Sequence, residues 1–317
     1  MNQILITGGA GHIGGRLARK LVENPLNKVV IVDNLSTGSR DNLPSDHFKN
    51  WVFVNCDVNS YEDLSAVMLG NKFRFVFHLA AVVGVQRTQQ YPIKVLDDIQ
   101  GIKNVLSLSK NTSVERVFYS SSSEVYGETV EFPQNERTTP LNARVPYAAV
   151  KNVGEAYVKS YQKIHGLDYT IFRFFNTYGP EQSVDFVIPR FMHLAKANRD
   201  ILIYGDGQQT RTFLHVDDNV AMCVKAMEDQ SLVNEVVNIG GSEEITILNL
   251  ARLIIKLSAS NSKIVHIDPL EEGDMTRRVP DNQLMKKCLQ KELLSLEDGL
   301  KLMIGNIAGQ SDRVAIA

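Results

Sequence analysis

The segment ILITGGAGHIGG, residues 4–15, decides how this chain is read. Its first half is apolar and β-branched, and Gln3–Thr7 reads as a buried strand. Its second half opens a helical pattern over His12–Glu23, with Ile13, Leu17 and Leu21 on one face. Between them stand Gly8, Gly11 and Gly14, spaced GxxGxxG, a close relative of the GxGxxG dinucleotide fingerprint. Glycines allow a tight turn and a close approach of backbone to a pyrophosphate. A helix N-terminus offers free N–H groups to the same phosphates. The spacing alone is weak evidence, but its place between strand end and helix start makes Gly8, Gly11, His12, Ile13 and Gly14 a cofactor cradle.

The next strand, Lys28–Asp33, ends in VVIVDN about twenty residues past the loop. A carboxylate there accepts hydrogen bonds from an adenosine ribose and repels a 2′-phosphate. Asp33, followed by Asn34, therefore points to NAD. Arg40 is the one nearby group that could instead favour NADP.

Strands expected at 51–55, 74–78, 114–120 and 168–174 alternate with helices near 93–110 and 146–165. This alternation predicts α/β architecture, a Rossmann-type doubly wound parallel sheet. Past residue 175 the pattern breaks up at Gly-Pro, Gly-Asp-Gly and Gly-Gly, which predicts a smaller, mixed C-terminal substrate lobe. The expected division is 1–175 for cofactor and 176–317 mainly for substrate. Segments near 213–240 are expected to return to the first part, and 309–317 to fray.

Composition narrows the function. The chain has 317 residues, 44% of them hydrophobic and 22% charged, with net charge −2 and no basic tract. This argues against nucleic-acid binding. No apolar run reaches ~18 residues, so no membrane span is expected. Cys56, Cys223 and Cys288 lie far apart and form no CxxC, so neither a zinc site nor a disulfide framework is expected. The start MNQILITGG lacks a signal-peptide pattern, and the expected compartment is the cytoplasm.

Two further stretches carry chemistry. YSSSSEVYGE, residues 119–128, is either a solvated serine turn or a place where a serine handles substrate. VPYAAVKN puts Tyr147 and Lys151 four apart on one helical face behind Pro146. A tyrosine with a cation beside it can act as a base toward an alcohol.

With these motifs in order, the chain resembles the extended short-chain dehydrogenase/reductases that modify nucleotide sugars. The resemblance rests on TGGAGHIG, VDN at 32–34, CDV at 56–58, HLAA at 78–81, SSSSEVYG at 120–127, YAAVK at 147–151 and RFFNTYGP at 173–180. YGDGQQTRTFLHVDD at 204–218 and GDMTRRVPD at 273–281 extend it nearly end to end. The resemblance implies NAD as cofactor, with Asp57 and Val58 near adenine and Leu79, Ala80 and Ala81 beside the cofactor. It implies Tyr147 and Lys151 as the catalytic pair and selects Ser122 among the serines. It implies sugar-nucleotide contacts from Asn176, Arg211 and, between Arg277 and Arg278, the latter. His12, His78 and His215 fall in segments where no catalytic role is needed.

The implied activity is 4-epimerisation of a nucleotide sugar through a transient 4-keto sugar, in a homodimer paired through the helices near 93–110 and 146–165. The alternative is decarboxylation or 4,6-elimination using Glu124. A non-catalytic dinucleotide-binding protein is the remote third reading, opposed by the intact Tyr147–Lys151 pair. Two positions depart from the pattern. Asp98 stands where relatives usually carry Asn, and Ser123-Glu124 stands where thymidine-linked glucose dehydratases carry Asp-Glu.

Overall fold

The computed structural model of the chain describes residues 2–128, 131–269 and 275–314. The first half runs β1 (Asn2–Thr7), α1 (His12–Val22), β2 (Asn27–Asp33), β3 (Trp51–Asn55), α2 (Tyr61–Leu69) and β4 (Phe75–His78). It continues with α3 (Val85–Gln90), α4 (Pro92–Leu96), α5 (Asp98–Asn111), β5 (Arg116–Ser122), α6 (Pro146–His165) and β6 (Asp168–Phe174). The second half holds β7 (Asn176–Tyr178), α7 (Val187–Lys196), β8 (Ile201–Tyr204), β9 (Thr210–His215), α8 (Val216–Glu228) and β10 (Glu235–Ile239). Then come β11 (Glu244–Thr246), α9 (Ile247–Leu257), β12 (Ile264–Ile267), α10 (Gln283–Leu289) and α11 (Leu296–Val314).

Seven strands form one parallel sheet in the order β10-β6-β5-β4-β1-β2-β3. The inner strands are buried on both faces, so alternate residues feed opposite cores, while the edge strand β3 is partly exposed. Ile4 and Ile6 join Leu17, Leu21 and the α8 residues Val220 and Cys223 on one side. Leu5, between them, joins Val76, Val117, Val105 and Val150 on the other. Each such side chain contributes about 1.5–3 kcal/mol of burial. A third core, around Ile188, Phe191, Ile201, Leu250 and Leu300, lies under a three-stranded sheet, β11-β9-β7, and a two-stranded one, β12-β8.

The order reverses between β1 and β4, which lie side by side though two strands separate them in sequence. Crevices at such points, outside the carboxyl ends of strands, are where α/β sheets hold ligands. The chain crosses back to this sheet late. β10 pairs with β6 over Glu235↔Thr170 to Ile239↔Phe174, and α8 packs on α1.

Four local expectations need correction. The helix expected near 93–110 is two helices, α4 and α5, parted at Asp97. Gln100 N bonds the Asp97 carbonyl three residues back, a 3-10-type tightening of the junction. The strand expected to stop at Ser120 runs to Ser122, because Ser121 and Ser122 pair with Arg173 and Phe174 of β6. The serines are therefore not a solvated turn: Ser120, Ser121, Ser122 and Ser123 are all buried. Of the last nine residues, those to Val314 continue α11, and 315–317 lie outside the described residues.

Helix α6 begins as its sequence predicts. Pro146 occupies the first turn and Gly166 closes the helix at φ 68. Ile93 on α4 and Val153 and Ile164 on α6 are exposed apolar side chains. Cys56, Cys223 and Cys288 are buried free thiols. Among the described residues no helix is long and apolar enough to cross a membrane.

Candidate active site

One cavity of about 1290 Å³ runs from the β1–β4 crevice into the C-terminal lobe. Every site residue named from the sequence lines it.

At the crevice, glycine is a packing requirement. A Cβ on Gly14 would stand 2.2 Å from the Gly8 carbonyl oxygen. Gly8 has φ +68, and a Cβ there would stand 2.6 Å from the Ala80 nitrogen. The β1 and β4 loops can thus approach this closely only with glycine. Gly11 caps α1 without a side chain, and the first turn holds no acidic residue. His12 and Ile13, the first residues of α1, line the same wall. This is the donor set a pyrophosphate needs, so the residues present fit a dinucleotide. Leu79, Ala80 and Ala81 form the facing wall, with the Ala80 N–H donating to Thr7 Oγ1 at 3.3 Å.

Asp33 is held by two backbone donors, Ala10 N–H at 3.0 Å on Oδ2 and Leu35 N–H at 2.8 Å on Oδ1. Asn34 donates to Asp57 Oδ2 at 3.2 Å, which joins the ends of β2 and β3 where Val58 also lines the cavity. Arg40 does not line the cavity. Its guanidinium lies 4.7 Å over the Phe53 ring instead.

Deeper in, Ser122, Tyr147 and Lys151 converge from β5 and α6. Ser122 Oγ accepts the Glu124 N–H at 3.2 Å, capping the turn Ser123–Tyr126. Lys151 is buried. Its Nζ donates to the Ser120 carbonyl at 2.8 Å and lies 5.6 Å from the Tyr147 ring centroid. Burial and then the Glu124 charge push the Tyr147 phenol well above its usual value, against a hydrogen bond from Ser122 and the Arg278 charge. Burial moves Lys151 the other way, down to about 8, with Asp98 opposing it. The protein's own groups thus leave a phenol beside a readily titrated amine. His78 is buried, bonded to Thr7 Oγ1 at 2.8 Å, and burial lowers it to about 3.

Past this triad the cavity is lined by Asn176, Arg211 and Arg278. Asn176 Nδ2 donates to the Thr212 carbonyl at 3.2 Å. Arg211 is buried, with Nη1 donating to the Thr210 carbonyl at 2.6 Å. Arg278 Nη2 donates to Glu124 Oε1 at 3.3 Å, and its buried Nε has no hydrogen-bond partner among the described residues. Arg277 turns away, pairing with Glu244 at 2.8 Å.

The chain is matched over residues 4–240 by the model of the NAD dependent epimerase/dehydratase family. It belongs to that family. It is 35% identical over 312 residues to the UDP-N-acetyl-α-D-glucosaminuronate decarboxylase of Bacillus cytotoxicus, covering 94% of this chain and 95% of that one. It is similar to the UDP-glucose 4-epimerase of Thermotoga maritima solved with UDP-glucose, at 32% identity and a TM-score of 0.91, covering 97% and 99%. It is also similar to the Thermus thermophilus UDP-glucose 4-epimerase solved with NAD, at 25% identity and 0.89, covering 97% and 99%. Among these relatives of the epimerase/dehydratase family, one decarboxylates and two epimerise.

Sequence reasoning missed several walls of this cavity. Arg87 of α3 pairs with Asp185 before α7 at 3.0 Å, joining two loops at the rim. Tyr204 and Gln209 also line it. They fall in the YGDGQQTR stretch, whose glycines marked a loop but not which side chains face inward.

Proposed function

We propose that this chain is an NAD-dependent nucleotide-sugar 4-epimerase acting through a transient 4-keto sugar. The observation that carries the reading is that Ser122, Tyr147 and Lys151 stand in one cavity between the glycine cradle and two buried arginines. NAD held by the glycine cradle and Asp33 would supply the two-electron redox partner for C4 of the sugar. Tyr147 takes the proton of the 4-hydroxyl and later gives it back. Ser122 hydrogen-bonds the same oxygen and holds it toward the phenol. Lys151, as an ammonium ion, favours the phenolate. Arg211 and Arg278 bind the diphosphate by charge. Asn176, fixed to the β9 backbone, contacts the sugar. Asp33 holds the adenosine ribose, which favours NAD over NADP. Cofactor extracted from denatured protein is expected to be NAD(H), and mainly NADP would overturn that assignment.

A second reading, decarboxylation or elimination beyond C4, is favoured by one observation. Glu124 lines the cavity paired with Arg278, and its charge reaches Tyr147. A 4-ketone acidifies the neighbouring C–H, and a carboxylate there can take the proton. Glu124→Gln separates the two readings. Under 4-epimerisation the variant is expected to interconvert epimers normally, with product of unchanged mass from a panel of nucleotide sugars. If C4 oxidation persists while product loses carbon dioxide or water only in the wild type, the second reading replaces the first.

A further inference from the structure

The segment that leaves β7, residues 179–186, is tied to both sides of the crevice between β1 and β4. On the β1 side, Arg19 Nη1 of α1 donates to both carboxylate oxygens of Glu181 at 2.7 Å. On the β4 side, Arg87 Nη2 of α3 donates to Asp185 Oδ2 at 3.0 Å. Helix α1 follows β1 and α3 follows β4, so the two anchors stand on opposite banks of the crevice. Glu181, Gln182, Ser183 and Asp185, which run from one anchor to the other, all line the cavity. From 181 to 185 a chain reaches at most ~14 Å, so the crossing has little slack.

The crossing is also held in shape. Arg19 is itself fixed, because its Nε and Nη2 donate to the Leu43 and Asp41 carbonyls on the loop after β2. Gln182 Nε2 donates to the Thr177 carbonyl at 2.8 Å, and Ser183 Oγ accepts the Asp185 N–H at 3.2 Å. Glu181 takes φ 66, a left-handed backbone that a residue with a Cβ keeps only where its surroundings enforce it. At its start the segment lies against the glycine cradle, where a Cβ on Gly179 would stand 3.4 Å from His12 Cε1. The four paired side chains are between 25% and 38% exposed. Such pairs are individually weak and screened by salt, which suits a clasp that has to open.

We propose that residues 179–186 form a strap over the bound dinucleotide, and that the Arg19–Glu181 and Arg87–Asp185 pairs both open before NAD leaves. The strap concerns cofactor retention and is independent of which reaction follows at the sugar.

The test is release of NADH from the loaded protein, chased with excess NAD and followed by loss of bound-NADH fluorescence, with no sugar present. Arg19→Met and Arg87→Met are each expected to speed release about threefold, the size of one partly exposed pair. The double variant is expected to release about tenfold faster, since distant pairs broken in one opening add. Arg87→Lys, which keeps the charge, should stay near the wild type. Arg74→Met removes the Arg74–Glu115 pair, which lies outside the cavity, and should leave release unchanged. Amide hydrogen exchange over 181–186 should quicken in the double variant while that of β1 does not. Salt supplies an arm that needs no variant. Raising it from about 0.01 M to about 1 M shortens the screening length from about 30 Å to about 3 Å, and wild-type release should quicken. Double-variant release within about twofold of the wild type overturns the inference, as does wild-type release indifferent to salt. Release that quickens equally in Arg74→Met also overturns it, because any lost surface pair would then act alike.

Discussion

Tyr147→Phe is expected to lower turnover about 10²–10⁴-fold, the range lost when a positioned acid–base group is removed. The change deletes one oxygen. The ring keeps its packing against the core that holds Tyr119 and Val150. NAD retention should therefore survive, since the glycine cradle and Asp33 are untouched. The pH dependence carries a further signature. Burial and Glu124 hold the phenol above its usual value, so the wild-type rate should climb as pH rises toward the alkaline side. The climb should stop where Lys151 begins to lose its proton, near 8. The two groups share one site, so the limbs belong to the pair. Residual turnover above about a tenth of the wild-type rate is more than loss of a general base allows, and would remove Tyr147 from that role.

Arg173→Met is expected to destabilise the fold by about 3–5 kcal/mol, because it leaves a buried carboxylate with only the partly exposed Lys159, at 3.5 Å, as a cation. Arg173 on β6 and Glu155 on α6 are each 2% exposed and meet through two contacts, Nε to Oε1 at 2.9 Å and Nη2 to Oε2 at 2.8 Å. Ser121 on β5 donates to the same carboxylate at 2.6 Å. These bonds join the helix carrying Tyr147 and Lys151 to β6 and, through Ser121, to the strand carrying Ser122. Burial alone would raise the Glu155 pKa, but the bonds and charge of Arg173 and the Ser121 bond outweigh it and leave it depressed. Its stabilising contribution is therefore present above the ordinary 4.5 and is lost as pH falls through the lower folded value. Denaturant unfolding should show the full gap between wild type and Arg173→Met at neutral pH and a smaller one in acid. A gap of under about 1 kcal/mol at neutral pH would mean that the pair contributes no more than a surface bridge does. Glu155→Gln combined with Arg173→Met should recover part of the loss, since no buried charge then remains.

The NAD-binding half was legible because its signals are local. Apolar runs separated by helical spacing announce parallel strands and covering helices. Gly8, Gly11 and Gly14 lie within seven residues of one another, and the space they must vacate belongs to the turn itself and to one neighbouring loop. Tyr147 and Lys151 share a face because helical geometry dictates it. The serines were legible only through the resemblance. Whether they formed a turn or a strand depended on β6, whose register draws Ser121 and Ser122 into the sheet.

The sequence by itself determined the kind of sheet, the glycine turn between β1 and α1 and the shared helical face of Tyr147 and Lys151, since each is encoded in spacings shorter than one helix. Tertiary structure alone decided what those residues feel. It chose Arg278 over Arg277 for the cavity by pairing Arg277 with Glu244. It turned Arg40 onto Phe53 and off the cavity wall. It brought residues 235–239 back to the edge of a sheet whose other strands had ended sixty residues earlier. It set Glu155 against Arg173 by folding a helix onto a strand. The reason is common to all four. Propensity and periodicity act between near neighbours, whereas burial and charge act between residues that only the chain's topology makes neighbours.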